Sequence, residues 1–140
     1  MLTIKIQYLH EDAQQPKRAT LGPAGWDVYA TVDGAVSGGR RKRIPLGFAI
    51  ELPSGWCARL VQRSSMFEKG ILVNSSPIDL DYRGELHAIV ANNGEWPWHY
   101  KKGDRIAQLV FEHVPVVRFA AVDELSVTER GTGGFGSSGL

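Results

Sequence analysis

Acidic, basic and aromatic side chains crowd into one short segment of the sequence, Ile78–Glu85, which has the sequence IDLDYRGE. In an extended strand or hairpin, alternate side chains point the same way, so we expect Asp79 and Asp81 to share a face. Two carboxylates on one face can bind a hard metal ion or act as a general base on water. The alternative is a solvated turn that carries an Arg–Glu ion pair.

A second segment places an arginine and two hydroxyl groups at the end of a predicted strand. Gln62–Ser65 follows the apolar run Trp56–Val61. A guanidinium fork matches the geometry of phosphate oxygens, and hydroxyl groups can add further hydrogen bonds. The segment therefore predicts a phosphate-binding loop. The alternative is that a serine caps a short turn over Ser65–Lys69.

Two further segments carry isolated polar side chains beside apolar ones. Ala24–Ala30 encloses Asp27, which either caps a turn or faces a cation. Gly103–Leu109 is a predicted turn that leads into a strand carrying Gln108. By itself, this last segment indicates only a hairpin with a surface arginine.

The C-terminal segment is rich in glycine. The chain has 16 glycines, and the last ten residues have the sequence GTGGFGSSGL. Such a segment buries too little to offset its ordering entropy, which is typical of a disordered end or a linker. The alternative is a mobile arm that orders over a ligand. Arg130 and Phe135 favour it, because successive backbone N–H groups of a glycine-rich arm can bind phosphate.

Composition excludes several classes of protein. A chain of 140 residues with 43% hydrophobic residues is expected to form one folded domain. No apolar run approaches the roughly 18 residues of a membrane span, and no signal-peptide pattern precedes the domain. The single cysteine, Cys57, fits a reducing compartment, so we expect a cytoplasmic protein without membrane contact.

Metal and nucleic-acid motifs are weak. The four histidines lack a zinc-ligand spacing, and neither a Walker loop nor a Rossmann glycine pattern occurs. The basic run Arg40–Arg43 is most simply a solvated loop in a chain whose net charge is +1. We therefore expect no specific nucleic-acid binding.

The elements that must position these segments are predicted to be short strands. Apolar side chains alternate or cluster in runs bounded by Gly, Pro, Asn or Asp, which is the pattern of β-strands. These runs are Leu2–Tyr8, Ile44–Leu52, Trp56–Val61, Leu86–Val90, Ile106–Phe111 and Val114–Phe119. Only Ser65–Lys69 and Asp123–Glu129 could form a helical turn. The sequence predicts an all-β jelly-roll-like barrel or sandwich.

Taken in chain order, the five segments resemble the five motifs of the trimeric deoxyuridine triphosphate pyrophosphatases (dUTPases). The matches are Ala24–Ala30, Gln62–Ser65, Ile78–Glu85, Gly103–Leu109 and Arg130–Gly139. Each match is weak alone, whereas five in register are specific. The family fold is a β jelly roll, in agreement with the strand pattern.

The resemblance implies Mg²⁺-dependent hydrolysis of dUTP to dUMP and pyrophosphate by a homotrimer whose active sites are shared between chains. Residues 1–129 are expected to form the barrel domain, and residues 130–140 a flexible arm that closes over the site. Asp79 corresponds to the residue that activates the water attacking the α-phosphate. Asp27 corresponds to the acid that holds Mg²⁺ through water.

The resemblance also implies the substrate contacts. Arg63, Ser64, Ser65 and Gln108 match phosphate ligands. Tyr82 matches the ring that excludes a ribose 2′-hydroxyl, and Asn74 lies in the expected uracil pocket. The arm would add the side chains and backbone of Arg130, Phe135, Gly136, Ser137 and Ser138.

The chain departs from the family pattern in two places. Ser65 stands where many members have glycine. The loop Asn74–Asp79 is one residue shorter than in many relatives, and Pro77 removes an N–H group that could contact the base.

Two other functions carry related sequence features. A dCTP deaminase shares the Arg-Ser-Ser and Ile-Asp segments but needs a glutamate on the strand after Gly84, where this chain has Ile89. A regulatory binding protein with a dUTPase-like fold could retain nucleotide binding, but it would tolerate the loss of Asp79 or the arm.

Overall fold

The computed structural model describes residues 1–139 and confirms the all-β prediction. Ten short strands and one helical turn, α1 (Ser64–Phe67), follow one another along the chain. The strands are β1 (Lys5–Tyr8), β2 (Trp26–Tyr29), β3 (Gly34–Val36), β4 (Arg41–Pro45), β5 (Phe48–Glu51), β6 (Trp56–Val61), β7 (Ile71–Val73), β8 (His87–Asn92), β9 (Trp98–Tyr100) and β10 (Arg105–His113).

The strands pair into small antiparallel sheets whose neighbours are distant in sequence. β10 is the central strand of the sheet β2-β10-β6, and β8 is the central strand of β4-β8-β7. The two remaining pairs are β1-β5 and β3-β9. Because β10 lies between β2 and β6, its residue Gln108 faces Asp27 on one side and Val61 on the other.

The inward faces of these sheets form one hydrophobic core. Alternation places Ala58 and Leu60 of β6 inside, while Cys57 and Arg59 are less buried. The largest side chains with almost no exposed surface are Phe48, Ile44, Leu46, Ile71, Ile106 and Leu109. This core holds the strand ends that carry the polar segments in fixed positions.

The prediction of one long strand over Ile44–Leu52 is wrong, because the structure divides this segment between β4 and β5. The break lies at Gly47, whose φ of 78° is in the left-handed region. A Cβ there would approach the side chains of Ala13 and Thr31 to 2.9 Å, so the turn requires glycine.

The predictions for the segment after β10 also need correction. Val114–Phe119 forms no strand, and Asp123–Glu129 forms no helical turn. Val116 is 102% exposed and Phe119 is 99% exposed, so neither side chain packs on the domain. The arm expected over residues 130–140 includes Leu140, which lies outside the described residues.

No helix among residues 1–139 is long and apolar enough to cross a membrane.

Candidate active site

The segment Ile78–Glu85 forms one wall of a cavity of about 320 Å³, which we call the carboxylate pocket. His87 and Ile89, on the less buried face of β8, also line it. Among the residues that line the pocket, those with polar side chains are Arg43, Asn74, Ser76, Asp79, Tyr82, Glu85 and His87. Asp79 lines this pocket and Asp81 does not, so the structure does not bring the two carboxylates together at the cavity.

The Asp79 carboxylate forms no ion pair and accepts no hydrogen bond from residues 1–139. The ion pair between Arg83 and Glu85, considered above as an alternative, is also not formed. Arg83 donates to the backbone oxygen of Leu80 at 2.8 Å, and the Glu85 carboxylate lies 3.8 Å from Nε2 of His87. Asp79 is therefore left as an available base in the pocket.

A hydrogen bond holds Tyr82 over the turn, and Gly84 leaves the space that the tyrosine ring needs. Its hydroxyl donates to the backbone oxygen of Glu85 at 2.8 Å. A Cβ at Gly84 would collide with the hydroxyl group of this ring, so only glycine permits the arrangement. The aromatic ring is thereby fixed beside Asp79.

The loop before Asp79 is anchored at two points. Oδ1 of Asn74 accepts hydrogen bonds from the backbone N–H of Ser76 at 3.2 Å and from its hydroxyl at 2.9 Å. Arg59 on β6 donates to the backbone oxygen of Ser75 at 2.9 Å and to the Glu112 carboxylate at 2.9 Å. Its hydrogen bond to Glu112 and that residue's charge raise the pKa of Arg59.

Three of the other polar segments meet at the sheet β2-β10-β6. We call the group formed there the arginine cluster; its members are Asp27, Arg63, Arg105 and Gln108. Oδ1 of Asp27 lies 3.4 Å from Nε of Arg63, and Oδ2 lies 3.6 Å from Nη1 of Arg105. Gln108 donates to the backbone oxygen of Gln62 at 3.2 Å. A Cβ at Gly25 would collide with the Gln108 side chain, so this glycine makes room for it.

The arginine cluster borders a second cavity, of about 270 Å³. Arg63, Ser65, Lys69 and Arg105 line it, and Asp104 is the one carboxylate among its lining residues. When Asp27, which pairs with both arginines, is included, three permanent cations stand against two carboxylates. The net potential stays positive, which suits an anionic group such as phosphate. Ser64, at the start of α1, is exposed and is not among the lining residues.

The carboxylate pocket and the arginine cluster lie toward opposite ends of β6. Ile78, next to Asp79, bridges to Ala58 near the start of β6, whereas Arg63 follows its last residue, Val61. Five residues of extended chain separate Ala58 from Arg63, which corresponds to about 16 Å at roughly 3.3 Å per residue. Asp79 and Arg63 of one chain are therefore anchored at different points along β6 and line different cavities.

Within residues 130–139, no residue of the glycine-rich arm lines either cavity. Nε of Arg130 donates to the backbone oxygen of Gly133 at 2.6 Å, within the arm itself. Phe135 is fully exposed with a φ of 53°, and Gly136 also has a positive φ, of 83°. The backbone N–H of Ser137 donates to Gly134 at 3.1 Å, and Ser138 is likewise exposed.

The donor set for a metal ion is sparse. Residues 1–139 contain no group of three or more His, Cys, Asp or Glu side chains that could hold one. Both carboxylate oxygens of Asp27 face guanidinium groups. These residues fit an ion that is carried by phosphate oxygens and water, with at most one carboxylate behind the water shell, rather than an ion in a protein cage.

The family model described as dUTPase matches residues 11–139, which is most of the chain. The chain belongs to the dUTPase family. It is 41% identical over 141 residues to the deoxyuridine 5′-triphosphate nucleotidohydrolase of Paramecium bursaria Chlorella virus 1, with all of both chains covered. The enzyme of the same name from Corynebacterium glutamicum is 41% identical, over 99% of this chain and 96% of the relative.

A solved dUTPase structure shares the fold. The dUTPase of Staphylococcus bacteriophage 80alpha, solved with dUPNHPP, has a TM-score of 0.91 to this chain. The two are 26% identical, and the match covers 99% of each chain. The jelly-roll-like all-β fold expected from the dUTPase resemblance is thus confirmed.

Sequence reasoning missed several residues of this dUTPase site. It took Arg105 for a surface arginine, whereas the structure pairs it with Asp27. It gave no role to His87, considered Glu85 only in an ion pair with Arg83, and did not single out Ser76 among the neighbours of Asn74; all three line the carboxylate pocket. The polar Asn-Ser-Ser run was a signal for Ser76, but the partner of Arg105 depends on the pairing of β10 with β2.

Proposed function

We propose that this protein hydrolyses dUTP to dUMP and pyrophosphate. One observation carries the proposal: a chain of the dUTPase family places the unpaired carboxylate of Asp79 beside the fixed ring of Tyr82 in one pocket. Its relatives are named for this reaction, and the phage enzyme was solved with a nucleotide bound. The carboxylate supplies a base, and the ring supplies a surface for the sugar.

In the proposed reaction, Asp79 accepts a proton from a water molecule, whose oxygen attacks the α-phosphorus. The bond between this phosphorus and the oxygen bridging to the β-phosphorus breaks, and pyrophosphate leaves with that oxygen. The carboxylate contributes mainly by holding the water in line, because phosphoryl transfer depends on positioning and on charge neutralisation.

Phosphate charge is neutralised by the arginine cluster in this proposal. Arg63 binds the phosphate chain with Ser64, Ser65 and Gln108, and Ser64 lies near the bridging oxygen. Asp27 supports this role because its ion pair at 3.4 Å restricts the orientation of the Arg63 guanidinium. A guanidinium group whose orientation is already restricted loses less conformational entropy when the ligand binds.

We propose that the active site is completed by three chains. The water oxygen held by Asp79 forms a bond to the α-phosphorus. The bridging oxygen near Ser64 is bonded to the same phosphorus atom before it leaves. Within one chain their anchor points are Ala58, which pairs with Ile78 beside Asp79, and Arg63, which precedes Ser64; these two are about 16 Å apart by strand length. A homotrimer that places the arginine cluster of one chain against the carboxylate pocket of its neighbour removes this discrepancy.

Mg²⁺ is the proposed cofactor, and Asp27 is its proposed ligand through water. When bound to the triphosphate, the ion draws charge from the phosphate oxygens and so favours departure of pyrophosphate. The lone pairs of Asp27 that face away from the two arginines remain for water molecules around the ion.

The arm formed by residues 130–140 is the proposed lid. Among residues 130–139, the hydrogen bonds are internal except for one from the Gly131 N–H to the hydroxyl of the adjoining Thr128 at 3.1 Å, and Phe135 is fully exposed. Closure onto a neighbouring chain therefore breaks few contacts. On closure, Arg130, Ser137 and Ser138 would bind phosphate oxygens, Phe135 would cover the base, and Gly136 would allow a close backbone approach.

We place the enzyme in the cytoplasm, where its free thiol at Cys57 stays reduced.

The deaminase alternative lacks its essential acid. Ile89 lines the carboxylate pocket at the position where a deaminase needs a glutamate, and an aliphatic side chain cannot transfer protons. A purely regulatory role would make Asp79 dispensable.

One assay tests these alternatives together. Pyrophosphate and ammonia release are measured with dUTP, dCTP, dTTP and UTP, with and without Mg²⁺, for the wild type and Asp79→Asn. We expect pyrophosphate from dUTP alone, and a loss of about 100-fold or more in the variant. Ammonia from dCTP would support the deaminase, and a fully active Asp79→Asn enzyme would exclude Asp79 as the base.

A further inference from the structure

The loop Asn74–Ile78 offers few backbone donors to a base in the carboxylate pocket. The N–H of Asn74 donates to Ile89 at 2.8 Å, and that of Ile78 donates to Ala58 at 2.7 Å. The N–H of Ser76 is taken by Oδ1 of Asn74, and Pro77 has no N–H. Four of the five backbone positions are therefore closed to a ligand, and Ser75 alone remains.

The Asn74 side chain has a fixed orientation as a consequence. A backbone N–H group only donates, so the amide atom that faces the Ser76 N–H at 3.2 Å must be the oxygen. The Ser76 hydroxyl reinforces this choice at 2.9 Å. The amide nitrogen, Nδ2, forms no hydrogen bond within the described part of the chain and is the group that Asn74 offers to the pocket.

We propose that Ser76 is a positioning residue for base specificity: it fixes the Asn74 amide so that Nδ2 donates to the 4-carbonyl of uracil. This inference rests on the proposed function. Cytosine carries an amino group at the same ring position, and that group also donates. Asn74 Nδ2 and the cytosine amino group would then both be donors, and neither would have an acceptor. The resulting kcat/KM for dCTP is about 5- to 150-fold lower than that for dUTP.

The assignment explains how a loop with Pro77 still reads a pyrimidine. A side-chain donor takes over from the backbone N–H that proline lacks. The amide reads the base only while its orientation is locked, because a flipped amide would present an acceptor and favour cytosine.

The decisive variant is Asn74→Asp. Its carboxylate is isosteric, can keep one oxygen on the Ser76 N–H, and replaces the Nδ2 donor with an acceptor. We expect the ratio of kcat/KM for dUTP to that for dCTP to fall by at least about 10-fold, mainly through KM. An unchanged ratio, or an equal loss for both nucleotides, overturns the proposal, because Nδ2 would then not contact the 4-position.

Variants of the serine test its positioning role. Ser76→Ala removes the hydroxyl and is expected to lower the same ratio by about 2- to 12-fold, the worth of one hydrogen bond. Ser76→Thr keeps the hydroxyl and is expected to restore the ratio. Ser75→Ala is the matched control and should behave as the wild type. If Ser76→Ala and Ser75→Ala are equivalent, Ser76 does not position the amide.

A second measurement uses the unmodified protein, so its result does not depend on whether the variants fold. Sulfur accepts hydrogen bonds less well than oxygen, so 4-thio-dUTP should show a higher KM than dUTP, whereas 2-thio-dUTP should not. The opposite order overturns the proposal. Failure of the wild type to hydrolyse dUTP would instead refute the proposed function, and the two failures are therefore distinguishable.

Discussion

Two inactive variants of this enzyme should restore each other's activity when they share a trimer. The first variant, Asp79→Asn, loses the base of the carboxylate pocket. The second, Arg63→Ala, loses the guanidinium of the arginine cluster. In one chain, Ala58, which pairs with Ile78 beside Asp79, is separated from Arg63 by about 16 Å of extended backbone along β6. We therefore expect each site to take them from different chains.

The recovered activity follows from random assembly. In an equal mixture, the pocket comes from an Arg63→Ala chain, which retains Asp79, in half of the sites. The cluster comes from an Asp79→Asn chain, which retains Arg63, in half of those. About one quarter of all sites are then intact, so the mixture should recover about 25% of wild-type turnover.

The assay unfolds the two variants together in urea, refolds them by dilution and measures pyrophosphate release from dUTP. Variants refolded separately and mixed afterwards provide the control, and sedimentation confirms the trimer. If each site were built within one chain, every site would carry one defect and no activity would return. Recovery no greater than that of the separately refolded control would refute the shared site and the distance argument behind it.

Three further outcomes are expected. Tyr82→Ala should raise kcat/KM for UTP relative to dUTP by about 10-fold or more, whereas Tyr82→Phe, which keeps the ring, should leave the ratio unchanged. Removal of residues 131–140 should preserve the circular dichroism spectrum and the trimer but lower kcat/KM for dUTP at least about 100-fold; full activity would exclude the lid. Phe48→Ala should destabilise the fold by about 3–5 kcal/mol in urea denaturation at fixed protein concentration, because Phe48 is 0% exposed.

Much of the fold and site could be predicted from local patterns. Period-two alternation located β1 and β8, and apolar runs located β6 and β10. A helical turn was expected over Ser65–Lys69, and α1 forms one at Ser64–Phe67, but its N-cap is Arg63 and no serine side chain caps it. The five motifs predicted the family, which the comparisons confirmed. The roles assigned to Asp79, Arg63 and the arm remain predictions, since they depend on a bound nucleotide and on neighbouring chains.

Local patterns failed where packing beyond the segment decided the outcome. The strand predicted over Ile44–Leu52 breaks at Gly47, because the side chains of Ala13 and Thr31 crowd this turn. Val114–Phe119 has a strand-like composition but finds no partner strand within the described chain, so its side chains stay exposed. Apolar alternation gives the face of a strand and not its neighbour.

The sequence alone determined which residues could do chemistry and that they lie on short strands and turns. The tertiary structure decided which of them meet. Asp27, Arg63 and Gln108 come together because β10 pairs with both β2 and β6, and these contacts join positions far apart in the chain. Asp79 is anchored elsewhere because Ile78 bridges to Ala58, in the first half of β6. Antiparallel pairing between distant segments depends on the packing of the whole core, so no local pattern encodes it.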